Sequence, residues 1–316
     1  MRDSIRTISL LKWVLGLIMI GSTQISNAQQ QVTYTHYSFN TLLVNPAYAG
    51  SRDILTLNSV NRFRWLSFPG APKVQTVTLH STLKTRSLGG GLSFYHDSKG
   101  PTRTTGIDLD VSYRMPLGEG RLAFGLKAGL GFRSNFLQSE VVTVMDNDQA
   151  FQNDEVSQVL PNVGIGIYYS NERFYAGFSS PKLLRNKFGA DEMFISGEVR
   201  HFYFITGGVL NLNAEKTLML KPSLLYKMTE STLYQFDLTA LLYFNDKIWV
   251  GPMYRTSNDL GIIMGMGINS QLAISYGFDW SMNNQTGVHN SGSHELMLRY
   301  DFVYDKKLGV VSPRHF

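Results

Sequence analysis

The chain contains no cysteine. That excludes disulfides, thiolate metal sites and a cysteine nucleophile together. After the first 20 residues no apolar run is long or pure enough for a transmembrane helix, which needs about 20 residues. Charge of one sign is also scarce. The formal net charge is +5 and is spread along the chain, without the basic stripe of a nucleic-acid binder. No Pro/Ser-rich linker, charge block or low-complexity tract divides the 316 residues. Glycine (29), tyrosine (16) and phenylalanine (19) are plentiful instead.

Catalytic sets are missing too. His80 stands beside Ser81 and His96 beside Asp97, but neighbours on a strand point to opposite faces. His289 and His294 lie near Asn290 and Ser291 with no spacing that specifies chemistry. No nucleophile, base and orienter can be assembled from this pattern, and the histidines have no ligand-like grouping. Gly89-Gly90-Gly91 lacks the helix and Lys-Ser/Thr of a phosphate loop and reads as a strand start with close wall packing. Neither an enzyme nor a cofactor is expected.

What is present begins with an export signal. Arg2, Arg6 and Lys12 are basic, Leu10 to Ile20 is apolar apart from Lys12, and Ser26-Asn27-Ala28 ends in a small residue. This predicts a signal peptide over residues 1–28.

The mature part alternates with period two. Leu296, Leu298, Tyr300, Phe302 and Tyr304 form an apolar row against Glu295, Arg299 and Asp301. Ile107, Leu109, Val111 and Tyr113 face away from Asp108, Asp110 and Arg114, and Leu122 to Phe132 repeats the pattern against Lys127 and Arg133. Such rows run from residue 54 to 304 in about fourteen segments. Short connections (116–120, 170–173, 213–216, 245–247, 269–271) alternate with long ones at 136–158, 181–197 and 281–293. An even strand count with loops sorted this way predicts an all-β fold: a transmembrane antiparallel β-barrel of about 14 strands, of outer-membrane type. A soluble sandwich has no reason to sort its loops.

The predicted lumen face carries Asp108, Asp110, Arg114, Lys127, Arg133, Lys221, Lys227, Asp237, Asp279, Glu295, Arg299 and Asp301. Both signs occur, whereas ion-selective channels use rings of one sign. The mixture suits internal salt bridges that fill a barrel or hold a plug. Residues 29–53, with Tyr34, Tyr37, Phe39 and Tyr48, precede the first strand and read as a periplasmic arm or a plug. Residues 305–316 read as a short tail.

Several pieces together resemble one family. They include Asn45-Pro46-Ala47-Tyr48-Ala49-Gly50, Arg64-Trp65, His96-Asp97 with Gly100-Pro101, and Phe174-Tyr175-Ala176-Gly177. Ser180-Pro181-Lys182, Leu220-Lys221-Pro222-Ser223, Trp249 to Arg255 and Ser293-His294-Glu295 complete the set. The chain resembles the PorP/SprF family of type IX secretion system outer-membrane proteins of the Bacteroidota, with Arg64 where Gln is common. The resemblance implies a non-enzymatic outer-membrane component that supports secretion or surface anchoring of a partner protein, gliding adhesins among them, and that meets periplasmic and outer-membrane components of the system and membrane lipid. On this reading the outer loops, with Trp65, Asn147, Phe151 and Phe188, hold the exported partner. The arm, with Tyr34, Tyr37, Phe39 and Tyr48, faces the periplasmic machinery. A passive porin or fatty-acid-type transporter is the alternative.

Overall fold

The computed structural model describes residues 32–66, 70–136, 155–188, 196–230, 234–257, 259–282 and 291–302. The expected signal peptide (1–28) and tail (305–316) lie outside them. Among the described residues, fourteen strands form one closed antiparallel ring. They are β1 (Leu55–Phe63), β2 (Lys73–Thr82), β3 (Leu88–Lys99), β4 (Thr102–Leu117), β5 (Gly120–Asn135), β6 (Glu155–Ser170) and β7 (Phe174–Ser180). The second half is β8 (His201–Gly208), β9 (Leu218–Thr229), β10 (Gln235–Phe244), β11 (Ile248–Arg255), β12 (Asp259–Gly267), β13 (Leu272–Ser281) and β14 (Ser293–Phe302). Each strand pairs with its neighbours in sequence, and β1 pairs with β14 to close the ring. Closure leaves no sheet edge, which is the condition for β-structure in lipid.

The alternation sorts the two faces. Leu109 is 57% exposed and Leu126 66%, while Asp110 and Lys127, one residue along, are buried. Val111, Tyr113, Phe124, Phe132, Tyr254 and Trp280 also point outward, so the outer wall is an apolar band with aromatic members.

The ring has a near end, where β1 starts and β14 stops, and a far end. Most near-end turns are tight, the connection 209–217 being longer: Gly118, Asn245 and Asp246 adopt left-handed φ of 58°, 50° and 56°. The long connections 136–154, 181–200 and 282–292 all leave the far end. Two far-end connections, 100–101 and 256–258, are as short as the near-end turns, so the sorting by length is less strict than expected.

Residues 32–53 form no strand. They make two short 3-10 turns, Thr41–Leu43 and Pro46–Tyr48, the second capped by Asn45 Oδ1 accepting from the Ala47 N–H at 2.9 Å. This strap lies inside the barrel and supplies much of its apolar core: Tyr37, Leu42, Ala47 and Tyr48 are each no more than 1% exposed.

Candidate functional site: the strap and the far mouth

The strap descends the lumen from one mouth to the other. Its first described residues lie at the far end, where the Tyr34 hydroxyl meets Thr76 Oγ1 at 2.9 Å. The Glu295 carboxylate accepts from the Thr35 N–H at 2.9 Å, the His36 N–H at 2.7 Å and Arg62 at 3.0 Å, and lies 2.7 Å from His36 Nδ1. Thr35 Oγ1 donates to Asp279 at 2.6 Å, and Arg62 pairs with Asp279 as well. Arg255 ties this group to Asp237 at 3.0 Å and to Asp279 at 3.6 Å. Interleaved cations and anions with few free lone pairs make a buried network tolerable.

Midway, the Tyr37 hydroxyl donates to the Asp237 carbonyl at 3.0 Å. Phe39 packs on Trp249 with ring centres 5.6 Å apart, and Tyr48 sits between His80 and Tyr168 at 5.2 and 5.5 Å. Wall hydroxyls also grip the strap backbone. Ser179 donates to the Val44 carbonyl at 2.7 Å and Ser112 to that of Ala49 at 2.6 Å. At two wall positions the strap comes so close that only glycine fits. A Cβ on Gly125 would collide with Ala47, and one on Gly89 with the Ala49 carbonyl. The glycine run at 89–91 is thus used for close wall packing.

At the near end, Arg114 and Arg121 bind Asp53 at 2.8 and 3.0 Å, and Arg52 binds Asp301 at 3.1 Å. The strap then enters β1.

The expected lumen charges find their places here. Lys127 pairs with Asp108 and Asp110, each at 3.4 Å. Lys221 sits 3.5 Å from the centre of the Tyr243 ring, and Arg299 lies 3.5 Å from Asp301. Arg133 is half-buried near the far end of β5. Arg114, Asp237, Asp279 and Glu295 hold the strap directly or through one neighbour, as described above. Arg62, Arg255, His36 and Ser275 were missed. Period two along β1 (Thr56, Asn58, Val60, Arg62) was the signal that could have found Arg62.

The structure corrects the expected surface roles of the four aromatics. Tyr37, Phe39 and Tyr48 are buried in the lumen and Tyr34 is half-buried, so they form no periplasmic-facing surface. Trp65 stands at the far mouth with a left-handed φ of 50° and the Arg64 guanidinium 4.7 Å from its ring centre. A bulky residue held there is strained, as residues at recognition sites often are. Phe188 belongs to a two-residue ladder with Ser196–Gly197 in the connection from β7 to β8. Asn147 and Phe151 lie outside the described residues.

One constellation has the spacing of a catalytic triad: Ser275 Oγ is 2.9 Å from His36 Nε2, and His36 Nδ1 is 2.7 Å from Glu295. The sequence pattern had offered no such set. The Ser275 hydroxyl also donates to the Met264 carbonyl at 2.9 Å, and its oxygen accepts from the Trp249 indole at 3.2 Å. All three members are buried, and the imidazole belongs to the strap. The set fastens strap to wall.

The family model for the type IX secretion system membrane protein PorP/SprF matches residues 26–300. The chain belongs to the PorP/SprF family. It is an outer-membrane β-barrel of that secretion system's membrane-protein family, which is generally non-catalytic. No curated protein matches the chain. Solved barrels resemble it at low identity. Omp33 of Acinetobacter baumannii is 9% identical with a TM-score of 0.46, over 80% of this chain and 100% of that one. A mutant of the ferric enterobactin receptor PfeA of Pseudomonas aeruginosa is 12% identical with a TM-score of 0.39, over 74% of this chain and 45% of that one. The KdgM porin, solved with disordered oligogalacturonate, is 7% identical with a TM-score of 0.37, over 78% and 99%. At such scores these likenesses carry no argument about function.

Proposed function

We propose that this PorP/SprF protein is a non-enzymatic barrel that holds or anchors an exported partner protein at the outer membrane, with its near end toward the periplasmic components of the secretion system. The observation that carries this reading is the strap. It is bound from mouth to mouth by side chains from opposite walls, which favours a filled barrel over a conducting path. A filled barrel offers partners its ends, and the strand bounds place the longest connections at the far end. Recognition there would rest on aromatic and cationic groups such as Trp65 with Arg64, the residue types that dominate protein interfaces. The commitment of Ser275, His36 and Glu295 to fastening the strap supports the non-enzymatic part.

Two measurements on one pair of proteins test it. In planar bilayers the native protein should pass little current. Deleting 147–152 should leave a folded barrel at normal abundance and release the exported partner into the medium. A steady porin-like current from the native protein, with partner attachment untouched by the deletion, would replace this reading with that of a passive transporter.

A further inference from the structure

The direction of the strap has a consequence for which side of the membrane can reach it. Tyr34 bonds to Thr76, three positions from the far end of β2, and Thr35 bonds to Asp279, two positions from the far end of β13. Glu295, which grips Thr35 and His36, is two positions from the far end of β14. At its other end Arg52 binds Asp301, one position from the near end of β14, and Asp53 binds Arg121, one position from the near end of β5. The strap therefore runs far to near, opposite to β1, which it then enters. Exposure follows the same course. Val32, Thr33 and Tyr34 are half-buried, and burial is nearly continuous from Thr35 to Gly50.

We infer that the strap is threaded outward: its Val32–Tyr34 end opens to the cell exterior at the far mouth, while Arg52 and Asp53 sit at the periplasmic mouth. This rests on the orientation adopted above, with the near end in the periplasm. A protein seated on the far mouth would meet the open end of the strap beside Arg64 and Trp65. It would also lie over the Thr35–His36–Glu295 fastening. A periplasmic component would meet only the tight turns and the strap's charged lower end. Of the four strap aromatics, Tyr34 is thus the one that stands at the exterior mouth, the reverse of the periplasmic role expected from sequence.

Cysteine labelling separates the strap from the orientation because the chain has no native cysteine. Thr33→Cys reports on the open end of the strap. Ser257→Cys marks an exposed far-end connection and Glu119→Cys an exposed near-end turn. Each variant is treated on intact cells, and again after permeabilisation, with a membrane-impermeant maleimide. Thr33→Cys should label on intact cells to the level of Ser257→Cys, and Glu119→Cys only after permeabilisation. Val32→Cys serves as a second reporter if the first is poorly produced. If Ser257→Cys labels on intact cells but neither strap reporter does, outward threading is wrong and the orientation stands. If Glu119→Cys labels on intact cells and Ser257→Cys does not, the orientation is reversed and outward threading falls with it.

Discussion

Glu295→Ala removes the group on which the upper strap depends. The carboxylate accepts from two consecutive backbone N–H groups at 2.9 and 2.7 Å and from Arg62 at 3.0 Å, and it is 0% exposed. Alanine leaves the Thr35 and His36 N–H groups facing a void. Each orphaned buried donor costs about 1–3 kcal/mol. Breaking a buried ion pair costs about 3–5 kcal/mol, but Arg62 keeps Asp279, so that share falls below the usual range. Losses in one network do not add. A local destabilisation of about 3–5 kcal/mol is therefore expected, which raises the opening frequency of the upper strap by roughly 10²–10⁴ at about 1.4 kcal/mol per decade. Amide hydrogen exchange on the protein in detergent or nanodiscs reads this directly. Peptides covering Thr35 to Tyr37 should lose protection by that factor, and peptides covering Leu122 to Phe132 of the wall should not change. Glu295→Gln keeps the volume and one acceptor oxygen and should fall between. Unchanged protection of Thr35 and His36 in Glu295→Ala would refute the assignment of Glu295 as the fastening.

Two further substitutions separate wall from lumen. Leu109→Arg puts a charge on the lipid face and should destabilise the barrel by about 2–4 kcal/mol in a vesicle folding assay, whereas Asp110→Asn should cost far less because Lys127 keeps Asp108; equal losses would contradict the assignment of faces. Gly125→Ala drives a methyl group into the backbone at Ala47, which has no flexible end to yield, and should cost about 1–3 kcal/mol as overpacking, seen as a lower thermal midpoint. If Gly125→Ala is as stable as the native protein, the strap does not lie against β5 as described.

The wall was legible in the sequence and the interior was not. Along β4 and β5, lipid and lumen impose opposite demands on successive residues, so Leu109 and Asp110 declare their faces without any knowledge of partners. The last strand, expected over 294–304, is described over Ser293–Phe302 for the same reason. The strap obeys no period. Thr35 and His36 take their roles from Glu295, some 260 positions away, and a polar segment of that kind carries no local mark of what it will touch. The mixed charge signs did point to internal pairing, but not to which partners. Arg114 could be placed inward by alternation, yet nothing local tied it to Asp53. The glycine run at 89–91 suggested close packing at the wall, but only the folded lumen shows that Gly89 meets the chain's own Ala49, and that Gly125 meets Ala47.

The seam of the ring joins Leu55 opposite Phe302 through Phe63 opposite His294. The strap runs straight into β1, and β1 gains its second neighbour only when β14 has been made. Residues 32–53 are therefore among the first of the barrel to leave the ribosome and among the last to be enclosed, and the His36–Glu295 contact closes a loop of 259 positions. Long-range closures of this kind are slow. Through that wait the segment must neither aggregate nor pair as a strand. Its Thr, His, Asn and Ser residues, and the Pro46 that bars a ladder hydrogen bond, suit it to the delay. The barrel is wrapped around a centre that has to remain sociable with water until the last strand arrives.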